Sequence, residues 1–330
     1  MLQHRLDEAY AFCEAACRNA STTFYSSFSA LHIDKRRAVH AVYALCRWVD
    51  DIVDGDEEPT ILETKELREA TAARQLIVSD LHAGTSPSLS EDEHRRRMMA
   101  LVDIRLKLER ASAQAIAEDD HPIFVALQDV FTRYPIKLAD FETVIEGMED
   151  DLYPVQNQTW DELRSYCYKV ASAVGLILIE IYGYEDRAAR LHAIDLGIQM
   201  QLINVLRDIN EDMERGRIYL PVEVLASHNI SVDSLQNPNI ATTLSWKGFV
   251  VEYVEVIKRH QSSANQLFAY LDGRARVQPE IMADAYTSIL NEIVRRSGDV
   301  FTQPVKLSKL RKAMLGLRLS MRKLRARLIA

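Results

Sequence analysis

The sequence predicts an all-α fold organised as one helical domain. Three observations predict it. Glycine and proline are scarce, 11 and 9 in 330 residues, too few breakers for a fold of short strands and turns. Apolar side chains recur at spacings of three and four along most of the chain. No linker-like stretch and no fixed-period repeat divides it.

In chain order, the periodicity predicts helices near 5–18, 35–54, 62–82, 94–117, 123–132, 138–152, 160–182, 187–213, 242–271, 278–297 and 306–328. Turn-forming residues separate them at Gly55–Thr60, Gly84–Glu91, Asp120–Pro122, Pro154–Thr159 and Gly183–Asp186. The longest polar break is Ser227–Asn239, with turn signals around Pro238.

Hydrophobic residues make up 48% and charged residues 27%, the balance of a soluble globular protein, and the length is ample for a deep pocket. A net charge of −8 supplies no global basic field, so nucleic acid is not expected as a partner. Cys13, Cys17, Cys46 and Cys167 lack the company of a metal site and read as thiols in a reducing cytoplasm. Residues 1–20 carry Asp7, Glu8 and Glu14, so they lack a signal-peptide core. The longest apolar run, Val170–Tyr184, contains Glu180 and is short for a membrane span. A cytoplasmic protein is expected.

Two acidic motifs stand out. In Asp50-Asp51-Ile52-Val53-Asp54, Asp50 and Asp54 share a helix face, with Arg47 and Tyr43 on the turns before. Three carboxylates in five residues repel unless solvent, Arg47 or a divalent cation lies among them. The second motif is Asp208-Ile209-Asn210-Glu211-Asp212. Its face extends back through Asn204 to Gln201, where an amphipathic helix would bury leucine or valine. The neighbours Leu202, Ile203, Val205, Leu206 and Ile209 are apolar, so this polar ridge needs partners. Oxygen-only donors suit Mg²⁺, which shares its shell with water and phosphate oxygens. Two such helices facing each other would cage a diphosphate and assist its departure. Solvated acidic faces are the alternative for either motif alone.

These residues resemble the squalene/phytoene synthase family from about Ala15 to Arg318. Ser21-Thr22-Thr23-Phe24-Tyr25 is similar to the family's early Ser-x-Ser/Thr-Phe segment, and Arg36 to Asp54 to its first aspartate block. Glu146 to Leu152, Tyr166 to Gly175 and Gln201 to Asp212 follow in the family's order, the last continued by Arg215-Gly216-Arg217-Ile218-Tyr219-Leu220-Pro221. Either aspartate motif alone is weak; the ordered set is highly specific.

The resemblance implies an isoprenoid-synthase-type bundle around a central apolar cavity. It implies Mg²⁺-dependent head-to-head condensation of two identical prenyl diphosphates through a cyclopropyl diphosphate, with Mn²⁺ as a substitute metal. Two farnesyl diphosphates giving dehydrosqualene or squalene are the first expectation, two geranylgeranyl diphosphates giving phytoene the alternative. NADPH is required only for squalene. By the same resemblance, Asp50, Asp54, Asp208 and Asp212 bind metal, Asp51 supports them, and Asn204 and Gln201 complete the second site. Ser21, Thr23, Arg47 and Arg207 hold diphosphate oxygens, with Arg217 near the substrate. Tyr43, Tyr166 and Tyr219 line the reaction centre, where ring faces stabilise carbocations. Phe24, Val170, Ala171, Val174 and Gly175 contact the prenyl tails, Gly175 by leaving room or, alternatively, as a close helix contact. Phe28, one turn from Phe24, either restricts the tunnel to shorter chains or is ordinary core.

From Lys306 to Arg327 nine residues are basic and none acidic, with leucines interspersed. This segment either lies on an anionic membrane surface, peripherally at the inner face, or forms a solvated helix whose basic end suits the helix dipole. A head-to-tail elongase, a terpene cyclase and a non-catalytic assembly protein of the same fold are the competing readings.

Overall fold

The computed structural model describes residues 2–20, 22–58, 60–82, 89–117, 120–154 and 157–329; the side chains of residues 2, 20, 22–24 and 327–329 fall outside that description. Two compact units form, Met1–Ser29 with Ile33–Pro154, and Ala30–His32 with Val155–Ala330. No change of composition marks the junction near Pro154. An isolated β bridge joins Tyr184 to Leu271.

The first unit contains α1 (Leu2–Ala20), α2 (Thr22–Phe28), α3 (Ile33–Asp54), α4 (Lys65–Leu81), α5 (Glu91–Ser112), α6 (Pro122–Arg133) and α7 (Leu138–Asp150). Local chemistry sets the starts. Thr64 accepts from Leu67 N at 3.1 Å and caps α4. Ser90 caps α5, whose first turn holds Glu91, Asp92 and Glu93, acids that favour a helix N-terminus. Pro122 opens α6, where its missing N–H costs nothing. Helix α3 packs on α1 and α6, and α5 on α4, α6 and α7. One buried carboxylate needs an account. Glu149 is 2% exposed and accepts from Arg74 Nε at 3.0 Å and from Arg105 Nη1 at 2.9 Å. Burial alone would raise its pKa; the two guanidiniums reverse that and hold it below the usual carboxylate value.

The second unit contains α8 (Trp160–Cys167), α9 (Ala173–Tyr182), α10 (Ala189–Arg207), α11 (Ile209–Glu214), α12 (Val222–Ser227), α13 (Leu244–Ala264), α14 (Val277–Arg295) and α15 (Lys309–Ile329). A capping box of Thr159 and Glu162 starts α8. Helix α10 is central, packing on α9, α13 and α14. Tyr253, fully buried, donates to Leu202 O at 3.2 Å, and Tyr182 to Gln278 Oε1 at 2.6 Å.

Four sequence expectations are corrected. Helix α2 lies outside the helices expected from sequence. The helix expected over 160–182 is continuous but passes through a π turn at Tyr168–Ser172. It is long and apolar enough to cross a membrane, yet half of its most apolar window is buried within the protein, as in a core helix. The helix expected over 187–213 breaks at Asp208 (φ −102°, ψ 17°). The helix expected to reach residue 271 ends at Ala264, with a short 3₁₀ turn at Leu267–Ala269 after it.

Candidate active site

Each unit carries one acidic motif. In the first unit, hydrophobic residues drive α3 into the core: Val39, Val42, Leu45, Val49 and Ile52 are buried, leaving Asp50, Asp51 and Asp54 on its partly exposed side. The motif occupies the last turn, where the helix dipole disfavours negative charge by about 0.3–1 kcal/mol per carboxylate, and no basic residue shares that turn. Arg47, one turn earlier, donates Nη1 to Asp50 Oδ2 at 2.9 Å and also pairs with Asp51. The chain leaves the helix through Gly55, at φ +80°. Asp56 N and Gly55 N bond back to Asp51 O (2.8 Å) and Ile52 O (3.2 Å), a Schellman cap that fixes the turn by main chain alone. Arg97 closes it by donating to Val53 O.

Beside this motif, Phe28 is buried (1% exposed), with its ring 5.8 Å from Tyr43 and 5.6 Å from His40. The structure therefore brings Phe28 and Tyr43 together. Tyr25 stacks on His40 from another side at 5.7 Å, and burial pushes the His40 imidazole down to about 4, so it is neutral at physiological pH. Ser21 lies outside the described residues, as do the side chains of Thr23 and Phe24.

In the second unit the ridge Gln201, Asn204, Asp208 survives the helix break, because Asp208 N still bonds Asn204 O (2.8 Å) and Asp212 N bonds Asp208 O (2.9 Å). Asn204 Nδ2 donates to Gln201 Oε1 at 3.1 Å. Arg207 grips Asp208 with both Nε (2.7 Å) and Nη2. Burial works against the Arg207 charge, but Asp208 more than offsets it and the guanidinium pKa rises. Gly216, at φ +74°, ends α11. Arg217 N and Gly216 N bond to Asp212 O (2.8 Å) and Met213 O (3.0 Å), the same cap as at Gly55. Tyr166 and Tyr219 are both buried and stack at 4.5 Å, so the structure brings these two tyrosines together. Val170 and Ala171 lie in the π turn, a feature frequent at functional sites, and Val174 and Gly175 open α9. A Cβ on Gly175 would come 3.3 Å from Ala193 O, which places Gly175 at a close contact between α9 and α10.

Three positioning residues escaped the sequence reading. Asn157, buried, donates to Tyr219 O at 2.9 Å. Asn210 donates to Phe301 O at 3.1 Å and tethers α11. Gly197 lets α10 approach the π turn, since a Cβ there would fall 2.6 Å from Ser172 Cα. Only Gly197 carried a signal, a glycine inside a helical pattern.

The donor set fits a hard divalent cation. It is all oxygen, and the Asn204 Oδ1 atom is buried without a hydrogen-bond partner among the described residues. No group of three or more His, Cys, Asp or Glu converges among those residues. Neither motif is therefore a closed protein cage, and a cation held there would draw ligands from water and phosphate, as Mg²⁺ does.

The squalene/phytoene synthase family model matches residues 17–311. The chain belongs to that family. It is 31% identical over 308 residues to the 15-cis-phytoene synthase of Synechococcus elongatus, spanning 90% of this chain and 87% of that one. It is 29% identical to the chloroplastic phytoene synthase 2 of Solanum lycopersicum over 315 residues, 94% and 89% of the two chains. In fold it is similar to a dehydrosqualene synthase (TM-score 0.76, 24% identity, 97% and 98% covered). It is likewise similar to the squalene synthase HpnC of Alicyclobacillus acidocaldarius (TM-score 0.71, 22% identity, 88% and 95% covered). The all-α isoprenoid-synthase fold and a prenyltransferase of the head-to-head type are thereby established.

Proposed function

We propose that this enzyme condenses two geranylgeranyl diphosphates to phytoene. The naming of its relatives in cyanobacteria and plants as phytoene synthases is the observation that carries the choice, and it puts the C40 product ahead of the C30 product first expected from sequence. In this reading Asp50 and Asp54 on α3, and Asp208 just before α11 and Asp212 within it, would hold Mg²⁺, with Asn204 and Gln201 beside the second pair. Bound there, it would supply charge neutralisation for the leaving diphosphate.

The chain's own residues do the rest. Arg47 and Arg207 now neutralise aspartates, and each has a guanidinium able to turn to a diphosphate oxygen; Ser21, Thr23 and Arg217 add donors. As the allylic C–O bond breaks, the ring faces of Tyr43, Tyr166 and Tyr219 meet the developing cation. The double bond of the second substrate attacks, loss of a proton closes the cyclopropane, and a second ionisation and rearrangement end in proton loss. Apolar residues such as Val170, Ala171 and Val174 would exclude the water that quenches such cations.

The deciding experiment supplies Mg²⁺ and each prenyl diphosphate in turn, with and without NADPH, and identifies the hydrocarbon by mass. Phytoene formed without NADPH supports the proposal; squalene formed only with NADPH replaces it. One observation favours a second reading, dehydrosqualene from two farnesyl diphosphates: Phe28 fills the space beside Tyr43. If Phe28 sets chain length, Phe28→Ala raises the C20-to-C15 turnover ratio roughly tenfold or more. An unchanged ratio leaves Phe28 as core.

A further inference from the structure

The second acidic motif sits on a helix that cannot hold itself. Helix α11 has six residues, too few for a stable helix in water. Ile209 is buried, and the rest of α11 is part-exposed or exposed. Its rotation must be fixed from outside, because it carries Asp212 and follows directly on Asp208. Asn210 makes that attachment, donating Nδ2 to Phe301 O at 3.1 Å. Two residues before Asp212, Asn210 lies roughly 160° around the helix from it, so the bond grips α11 from behind the carboxylate.

The carbonyl that receives Asn210 is itself held. Asp299 Oδ1 accepts from Phe301 N at 3.2 Å and from Thr302 N at 3.1 Å, and Oδ2 accepts from the Thr302 hydroxyl. These bonds form an Asx turn, which fixes the local main chain without helix or strand. Burial alone would raise the Asp299 pKa; the Thr302 and Phe301 donors reverse that and hold it below the ordinary carboxylate value. The turn is anchored on its far side as well. The Phe301 ring packs against the buried Trp246 of α13 at 5.0 Å, and Trp246 Nε1 donates to Gly298 O at 2.9 Å. Gly298 takes φ +83°, and a Cβ there would come 2.6 Å from Val250 Cγ2. Residues 298–302 therefore join α13 to α11, with the Asp299 carboxylate as the fold point.

We propose that Asp299 is a positioning residue for the second acidic motif. Acting through Phe301 O and Asn210, it sets the orientation in which α11 presents Asp212 beside Asp208. The proposal rests on the reading that these two aspartates hold metal. The test compares variants of the full chain. Asp299→Ala removes the acceptor, Asp299→Asn keeps an oxygen for the two amides, and Asn210→Ala cuts the link itself. In the metal-free protein, hydrogen exchange at the amides of 209–214 is expected to quicken roughly tenfold in Asp299→Ala and Asn210→Ala, with α13 unchanged. Mn²⁺ binding in the presence of inorganic diphosphate should weaken roughly tenfold in the same two variants, the low end for groups that orient metal ligands. Asp299→Asn should restore most of both. The double variant Asp299→Ala, Asn210→Ala should be no worse than the weaker single variant, because one path carries both effects. Unchanged exchange in α11, additive losses in the double variant, or faster exchange with undiminished Mn²⁺ affinity each overturn the proposal. Should Asp299→Ala fail to fold, Thr302→Val, which removes one donor to the carboxylate, is measured in its place. A wild-type chain that binds no Mn²⁺ with diphosphate removes the metal reading and this proposal with it. That failure shows in the wild type, whereas failure of the proposal alone shows only between variants.

Discussion

The two acidic motifs end alike and are supported differently. Asp51 and Asp212 occupy the same place in the same glycine-terminated cap, each carbonyl accepting the amide that follows the glycine. At the first motif the support is crowded: Arg97 lies over Gly55, where a Cβ would meet its guanidinium at 2.4 Å, and Arg47 reaches two aspartates. At the second it is open: a Cβ on Gly216 meets nothing within 4 Å, and Arg207 grips Asp208. The main-chain cap is what both regions keep; counted back from its glycine, the carboxylate pairs stand at different places, Asp50 and Asp54 before Gly55 and Asp208 and Asp212 farther before Gly216. Their electrostatic environments differ.

If both motifs serve one diphosphate chemistry, Asp50→Ala and Asp208→Ala should each lower turnover by roughly 10²–10³-fold with far-UV circular dichroism unchanged. Near-normal turnover in either variant breaks the equivalence. The caps should separate next. Gly55→Ala forces an unfavourable positive φ and strikes Arg97, and is expected to cost about 2 kcal/mol or more, whereas Gly216→Ala pays the backbone term alone, about 1 kcal/mol. Urea unfolding measures both, and equal costs would mean that Arg97 yields freely. The smallest effect is on acid stability. Glu149 has a folded pKa below its ordinary 4.5, so its contribution is complete above that value and is lost as pH falls through the folded pKa. Urea midpoints should drop as the pH falls below about 4.5 and through the folded pKa, and Glu149→Gln should flatten that drop. An unaltered slope in the variant would place the acid sensitivity elsewhere.

Both motifs and the basic C-terminal helix were legible in the sequence because each rests on residue type at helical spacing, whereas the roles of Tyr43, Tyr166 and Tyr219 were implied by the family resemblance. Other features were not. The break at Asp208 leaves the hydrogen bonds to Asn204 and Asp212 in place, so the apolar period runs through it unmarked. The π turn adds one residue to a helix whose composition stays apolar on both sides. Helix α2 has seven residues, Thr22–Phe28, too few for a period to emerge. Asn157 and Asn210 act through single hydrogen bonds to distant carbonyls, and no local pattern records such a bond. The junction of the two units falls at the Pro154–Thr159 break, which in sequence reads like the other turns between helices.

The π turn makes a definite statement about insertions and deletions. A helix that gains one residue per turn for a single turn is out of phase by about 100° with its own continuation. Removing any one residue from 168–172 would let the segment relax to a regular α-helix. Because the π turn sweeps about the same angle as an α turn with one residue fewer, that deletion would keep Tyr166 in phase with α9 and against Tyr219. Straightening the turn at full length is what would rotate Tyr166 away, by about 100°.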